Sequence, residues 1–256
     1  MNMECEMLAN RLTAAELEMC HKYYALKEEF KTEIHAEFMN NGMSFCCNNP
    51  SGEILLTGIN PSGNDTAVRD YTFKEAKDCG RSHYWKDKKE QITGTGALID
   101  HVAYLDLFPY IESSQKKFMK EIRPHITFQV KALEITQRKI EEYIKPRLII
   151  AANKSSAFYW GYGKFTWMGY NFVEVLDRPD CLKNKEIRLF QINPQNGFRG
   201  ENDRINQDKY TESKIKGAYF IPYAMYDTNE KGRNHYPERM LTPDLVMELY
   251  QWVRKQ

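Results

Sequence analysis

Net charge of either sign is missing from this sequence. Its 256 residues hold 36 Lys and Arg against 35 Asp and Glu, a formal charge of +1. Without a global cationic field, a polyanion would have to be held by a local patch. Paired metal-type cysteines are missing too: Cys5, Cys20, Cys46, Cys47, Cys79 and Cys181 include no C-x-x-C. That pattern argues against a zinc or iron–sulfur site and for reduced thiols, so neither metal nor cofactor is expected. Long apolar runs are also lacking. The most apolar short stretch, Leu148 to Ala152, is far too short to cross a bilayer, and Met1 to Arg11 lacks the apolar run of a signal peptide. The expectation is a cytoplasmic chain with no membrane partner, a monomer by default. No Gly-x-Ser-x-Gly elbow points to a serine hydrolase, and no Gly-x-x-x-x-Gly-Lys-Ser/Thr loop points to an ATPase or GTPase.

What is present suits a folded α/β domain. Hydrophobic residues make up 42% and aromatics 13%, and no solvating stretch divides the chain, so residues 1–256 read as one domain. Thr13-Ala14-Ala15-Glu16 has the form of a capping box. Behind it Leu26, Phe30, Ile34 and Phe38 recur every fourth residue, a helical stripe that Asn40-Asn41-Gly42 stops; the segment at about 13–40 is a packing element. Four short apolar runs look like buried strands: Ile54 to Ile59, Val102 to Phe108, Leu148 to Ala152 and Ile187 to Ile192. A helix around Thr127 to Ile144, ended by Pro146, lies between the second and third, and this spacing implies parallel pairing through a crossover. Asn171 to Leu176 adds a strand that would pair with Ile187 to Ile192 through the turn at Pro179 to Lys185. Thr242-Pro243-Asp244 opens a last helix with its stripe at Leu245, Val246, Leu249, Trp252 and Val253. Gly197 to Lys216 and Asp227 to Arg239 read as long surface loops.

In an open parallel sheet, ligands collect beyond the carboxyl ends of the strands. Three such ends carry polar residues here: Gly58-Ile59-Asn60-Pro61-Ser62, Asp106-Leu107-Phe108-Pro109, and Asn193-Pro194-Gln195-Asn196-Gly197. Plain roles fit each of them. Asn60-Pro61 and Asn193 to Gly197 are rich in turn formers, and Asp106 could cap a nearby helix.

Gly58-Ile59-Asn60-Pro61 at the end of a first buried strand resembles the first motif of the uracil-DNA glycosylase superfamily. It is closest to the mismatch-specific and single-strand-selective branches. Tyr104-Leu105-Asp106-Leu107-Phe108-Pro109 resembles the strand that carries the superfamily's base-reading asparagine, and Lys145 to Ala152 its third strand. The resemblance covers roughly Glu53 to Phe198. It implies a three-layer α/β/α sandwich around a central, mainly parallel four-stranded sheet, and an enzyme that takes a flipped base from DNA, single-stranded or damaged, and hydrolyses its N-glycosidic bond. Asn60 would position the attacking water, and Asn193 would stand where the superfamily usually has a histidine. Gly58, Ile59, Pro61, Phe73 and Asp106 would hold the base, Phe73 (or Tyr71) by stacking. Ser62, Arg81, Lys86, Gln195 and Asn196 would meet the nucleic-acid backbone.

Two positions depart from the pattern. An amide replaces the imidazole at Asn193, and Asp106 replaces asparagine. An ionised aspartate only accepts hydrogen bonds, so it suits a base presenting an amino group, such as cytosine, better than uracil. His235 in a late loop is an alternative source of imidazole. The run Arg81 to Lys89 mixes cations with Tyr84 and Trp85, which suits unstacked bases and phosphates but equally a solvated charged face. Lys116, Lys117, Lys120 and Arg123 could extend that patch. These departures keep open a second function, a non-catalytic nucleic-acid or nucleotide-binding module on the same fold.

Overall fold

Thr13 starts the first helix in a computed structural model that describes residues 12–46, 53–64, 66, 69–77, 84–94, 96–163, 167–200, 204–205, 210–222 and 237–256. Its hydroxyl accepts from the Glu16 amide at 3.2 Å, and the Glu16 carboxylate accepts from the Thr13 amide at 3.0 Å, the reciprocal cap that the sequence predicts. Helix α1 (Ala14–Phe30) is shorter than the apolar stripe suggests. The β-branched Thr32 and Ile34 lie just beyond its end, where their stiff side chains disfavour continuation. The chain turns, yet Ile34 and Phe38 stay buried with Leu26 and Phe30.

The main sheet has six strands and is mixed, which corrects the expected four-stranded count. Strands β2 (Ile54–Gly58), β4 (Val102–Asp106), β5 (Leu148–Ala151) and β8 (Tyr219–Ile221) run parallel in the order β4-β2-β5-β8. Beyond β8 lie β7 (Phe190–Ile192) and β6 (Phe172–Glu174), each antiparallel to its neighbour. The pairing of Asn171 to Leu176 with Ile187 to Ile192 is therefore as predicted. The fourth parallel strand is not: it comes from Tyr219–Ile221, a run inside a stretch too short to announce itself. The run at Ile187 to Ile192 instead pairs antiparallel on both sides, with Phe172–Glu174 and with Tyr219–Ile221. A separate parallel pair joins β1 (Ser44–Cys46) to β3 (Arg69–Tyr71).

Strand alternation builds two cores, one on each face. Leu55, Leu105, Ile149 and Phe220 point to a core shared with α1 and with α4 (Ile126–Arg138). Leu56, Tyr104, Ile150 and Ile221 point to the other, shared with α2 (Tyr84–Ile92) and α6 (Pro243–Lys255). Two further short helices are α3 (Gln115–Ile122) and α5 (Lys154–Tyr159). Both strand faces are thus covered, which is why the four parallel strands read as nearly continuous apolar runs. Helix α4 runs on as a wider turn through Ile144 and closes at Lys145, held left-handed at φ 48° before Pro146.

Buried polar groups tie layers together. Thr57 on β2 accepts from Trp160 Nε1 at 3.1 Å and bonds Ser156 Oγ at 2.7 Å. Glu141 accepts from Tyr170, from Ser213 and from the Lys214 amide at 2.9, 2.7 and 2.6 Å. That anchor corrects the reading of Gly197 to Lys216 as wholly superficial: Tyr210, Ser213 and Ile215 are buried. Cys20 is held in a disulfide, which corrects the expectation of reduced thiols at that residue. Among the described residues no helix is long and apolar enough to cross a membrane.

The N-terminal helix is joined to the sheet by rings. Phe128 meets Phe30, Phe38 and Tyr110 with centroids at 5.6, 6.0 and 5.2 Å, and all four are buried. Phe128→Ala is expected to lower the unfolding free energy by about 3–5 kcal/mol, the cost of losing a fully buried ring. A urea melt would read it as a fall in midpoint at unchanged slope.

Candidate functional site

The paired strands β2 and β4 end together, Gly58 directly opposite Asp106. Tyr104 and Asp106 are two residues apart and share a face, so both side chains rise over Gly58. A Cβ at position 58 would stand 2.3 Å from Asp106 Oδ1 and 2.3 Å from Tyr104 Oη, so only glycine fits. The Tyr104 hydroxyl donates to Asp106 Oδ1 at 2.8 Å, and Tyr84 Oη lies 3.0 Å from Tyr104 Oη. Asp106 is 6% exposed. Burial pushes its carboxyl from the ordinary 3.8 up to about 7, against hydrogen bonds from Tyr104 and Tyr71 that favour the charged form.

Past the strand ends, the ladder continues: Leu107 and Phe108 amides donate to Gly58 and Ile59 carbonyls at 3.3 and 2.9 Å, and Glu112 to Pro61 at 3.1 Å. This clamp places Asn60. Its Nδ2 donates to the carbonyls of Pro61 and Glu112 at 3.1 and 3.3 Å. Its Oδ1 is enclosed and meets no donor among the described residues. Glu112 is 1% exposed. Burial would raise its carboxyl, but hydrogen bonds from Ser113 and Lys117 and the charge of Lys117 outweigh it, holding the group below its usual range. The Ser113 amide and hydroxyl are both 2.7 Å away, and Lys117 Nζ is 3.1 Å away. At the end of β5, Asn153 caps α5 through Ser156 N at 2.9 Å and donates to Gln115 Oε1 at 3.1 Å.

These strand ends surround a cleft of about 490 Å³, within the usual range for ligand pockets. One wall is aromatic. Trp85 meets Tyr71, Tyr84 and Tyr104 with ring centroids at 5.3, 5.1 and 4.6 Å, all near edge-on. Among the described residues the lining carries four acidic groups, Asp70, Glu75, Asp106 and Glu112, against one basic, Lys77. A phosphate would be repelled inside; a neutral flat ring with a polar edge fits better.

The sequence-predicted residues divide clearly. Ile59, Asn60, Pro61, Ser62 and Asp106 all border the cleft, and Gly58 lies beneath Asp106. Phe73 does not border it: the ring is 0% exposed in the core, 6.2 Å from Trp85, while Tyr71 takes the place at the wall. An apolar ring has no reason to leave the core there, whereas the Tyr71 phenol reaches Asp106. Asn193, Gln195 and Asn196 are also corrected. Because β7 is antiparallel, its carboxyl end meets Ala218 at the start of β8, the sheet edge opposite to Asn60. Asn193 Oδ1 accepts from the Gln195 amide at 2.9 Å and Asn196 Oδ1 from Asn171 Nδ2 at 3.2 Å, so this segment is a turn. Lys86 is exposed on α2, 3.9 Å from Glu90, and does not border the cleft. Arg81 and His235 lie outside the described residues. Glu112, Asn153 and the role of Tyr104 were missed, whereas Tyr84 and Trp85 stood in the mixed run already singled out. Tyr104 and Asn153 had a signal, strand alternation for one and the strand-end rule for the other; Glu112 had none.

No protein-family model, curated protein or solved structure matches this chain. Among the described residues no group of three or more His, Cys, Asp or Glu is placed to hold a metal ion.

Two outcomes follow from the Gly58–Asp106 contact. Gly58→Ala is expected to destabilise the fold by about 1–3 kcal/mol, since neither neighbour can yield without breaking its hydrogen bond; chemical denaturation measures it. The raised carboxyl also makes stability depend on pH. The folded chain keeps the Asp106 proton until about pH 7, whereas the unfolded chain loses it near 3.8. This contribution is therefore full below 3.8, falls as pH rises and is gone above about 7, a change on the order of 4 kcal/mol. Asp106→Asn should flatten that part of a stability–pH curve.

Proposed function

We propose that this chain is a divergent DNA glycosylase of the uracil-DNA glycosylase superfamily type, whose cleft receives a flipped base and hydrolyses its N-glycosidic bond. The observation that carries this reading is Asn60: its amide nitrogen is fixed by two carbonyls while its oxygen is left as an enclosed, unmatched acceptor at a strand end. Such an oxygen is suited to orienting a water. It is too weakly basic to deprotonate one outright, so the chemistry would rest on orientation and electrostatics. Bond cleavage leaves positive charge on the sugar, and the ionised Glu112, already paired with Lys117, borders the same cleft. The aromatic wall of Tyr71, Trp85 and Tyr104 would flank the ring. The parallel strands β4-β2-β5-β8 with helices over both faces support the three-layer sandwich expected of this family, extended here by the β6–β7 hairpin. The same reading makes DNA the partner and the cytoplasm the compartment.

The acid-rich lining implies that the base alone enters. The sugar–phosphate chain would stay at the rim, near Lys116, Lys120 and Arg123 on and just past α3, whose first residue, Gln115, forms part of the lip.

One observation favours the second reading, a binding module without chemistry. Asn193 lies at the far sheet edge, so it places no donor beside the base oxygen that gains charge. A panel of oligonucleotides carrying altered bases separates the two. The enzyme releases a free base from at least one, and Asn60→Ala lowers that rate by about 10²–10³-fold. Salt-sensitive binding without release would establish the module instead. Equal rates in wild type and Asn60→Ala would remove this site from consideration.

A further inference from the structure

Asp106 offers the cleft more than a negative charge. The residue is 6% exposed, and its carboxyl lies over Gly58, in the space a side chain at that position would need. The hydrogen bonds that reach it come from phenols, Tyr104 and Tyr71, and no cation offsets its burial among the described residues. Other groups near it do not change the balance. Tyr84 on α2 bonds Tyr104, and the cleft lining adds Asp70, Glu75 and Glu112 against Lys77. On the other side, Glu16 and Lys139 border a small cavity that Asp106 shares, and these two lie 3.8 Å apart as an ion pair. Anions outnumber cations around the group, and the surroundings favour its neutral form.

A neutral carboxyl differs chemically from a carboxylate. It presents one O–H donor beside an acceptor oxygen, the same paired pattern as a carboxamide, whereas the carboxylate accepts only. Resting on the base-binding reading of the cleft, we propose that Asp106 reads the bound ring as a neutral acid and selects a lactam edge, a carbonyl beside an N–H, over an edge with an amino group, and that ionisation reverses the preference. On this proposal the amino-bearing base, which an ionised aspartate would suit, becomes the weaker fit while the carboxyl keeps its proton. The switch falls where cells live, since burial brings the carboxyl to about 7. Tyr104 is then a positioning residue: by donating to one lone pair of Oδ1 it fixes the carboxyl, whose O–H and remaining acceptor lone pair would meet the ring.

Uracil and cytosine are the probes, one with each edge, titrated into the protein from about pH 5.5 to about pH 8.5. Trp85 in the wall provides a fluorescence readout independent of any activity. Uracil affinity is expected to fall roughly tenfold for each pH unit above the carboxyl midpoint, while cytosine affinity rises roughly tenfold per unit below it and levels off above. Asp106→Asn, the same size and shape, should bind uracil with no such slope. Tyr104→Phe should move the midpoint upward, because the lost hydrogen bond favoured the charged form; a merely structural role would change affinity without moving it. Uracil binding that is flat with pH in the wild type, or equally sloped in Asp106→Asn, overturns the proposal. If that flat binding is still lost in Asn60→Ala, the cleft remains a base site and only the protonation switch fails. If neither base binds wild type or Asp106→Asn at any pH, both readings fall.

Discussion

The pairing of β2 with β4 governs this molecule. Five residues of each strand run in register and stop together, and at the last pair the two chains can approach only because one of them is glycine. Everything around the cleft is arranged from that point. The register puts Asp106 and Tyr104 over Gly58, the continued ladder through Leu107, Phe108 and Glu112 turns the following loop back against Pro61, and this loop supplies the carbonyl that fixes Asn60. A slip of one residue would send Asp106 to the opposite face, into a core of Phe and Leu side chains.

The two faces of the sheet have different work. On one, the rings of Phe30, Phe38, Tyr110, Phe118 and Phe128 bind the N-terminal helix into the same core as the strands, and buried hydroxyls of Tyr23, Thr57 and Thr136 are each matched. Those three hydroxyls serve packing and are satisfied. On the other, near the strand ends, polar groups are left available: an acceptor on Asn60, a carboxyl on Asp106 whose partners are only phenols. Groups left in that condition cost stability, which a fold tolerates chiefly where a ligand can complete them. The contrast within one domain is the reason to place function at this edge and not along the larger groove between α1 and α4, whose Lys131, Arg138, Glu29 and Glu142 are already paired with one another or with neighbours.

Much of this was legible in the residues and some of it was not. The capping box at Thr13, the N-cap at Thr242, the three strands at Ile54, Val102 and Leu148 and the β6–β7 pairing follow from local patterns, since caps and alternation are short-range properties. Asn60 and Asp106 were found by the strand-end rule for the same reason. Asn193 was placed wrongly because that rule holds only for a parallel strand, and direction is not a local property: β7 has the composition of a buried strand whichever way it points. Phe73 and Tyr71 are two residues apart, and nothing in their spacing tells which ring reaches the cleft.

The amino-acid sequence by itself determined where the first and last helices and three of the parallel strands begin, which residues are apolar enough to be buried, and that an asparagine and an aspartate close two of those strands. Only the tertiary structure decided which strand ends meet, because that depends on pairings between residues far apart in the chain. It also decided the condition of Asp106. A carboxyl's affinity for its proton is set by what surrounds it, and the burial and the phenols around this one are assembled from β3, β4 and α2 only when the chain is folded.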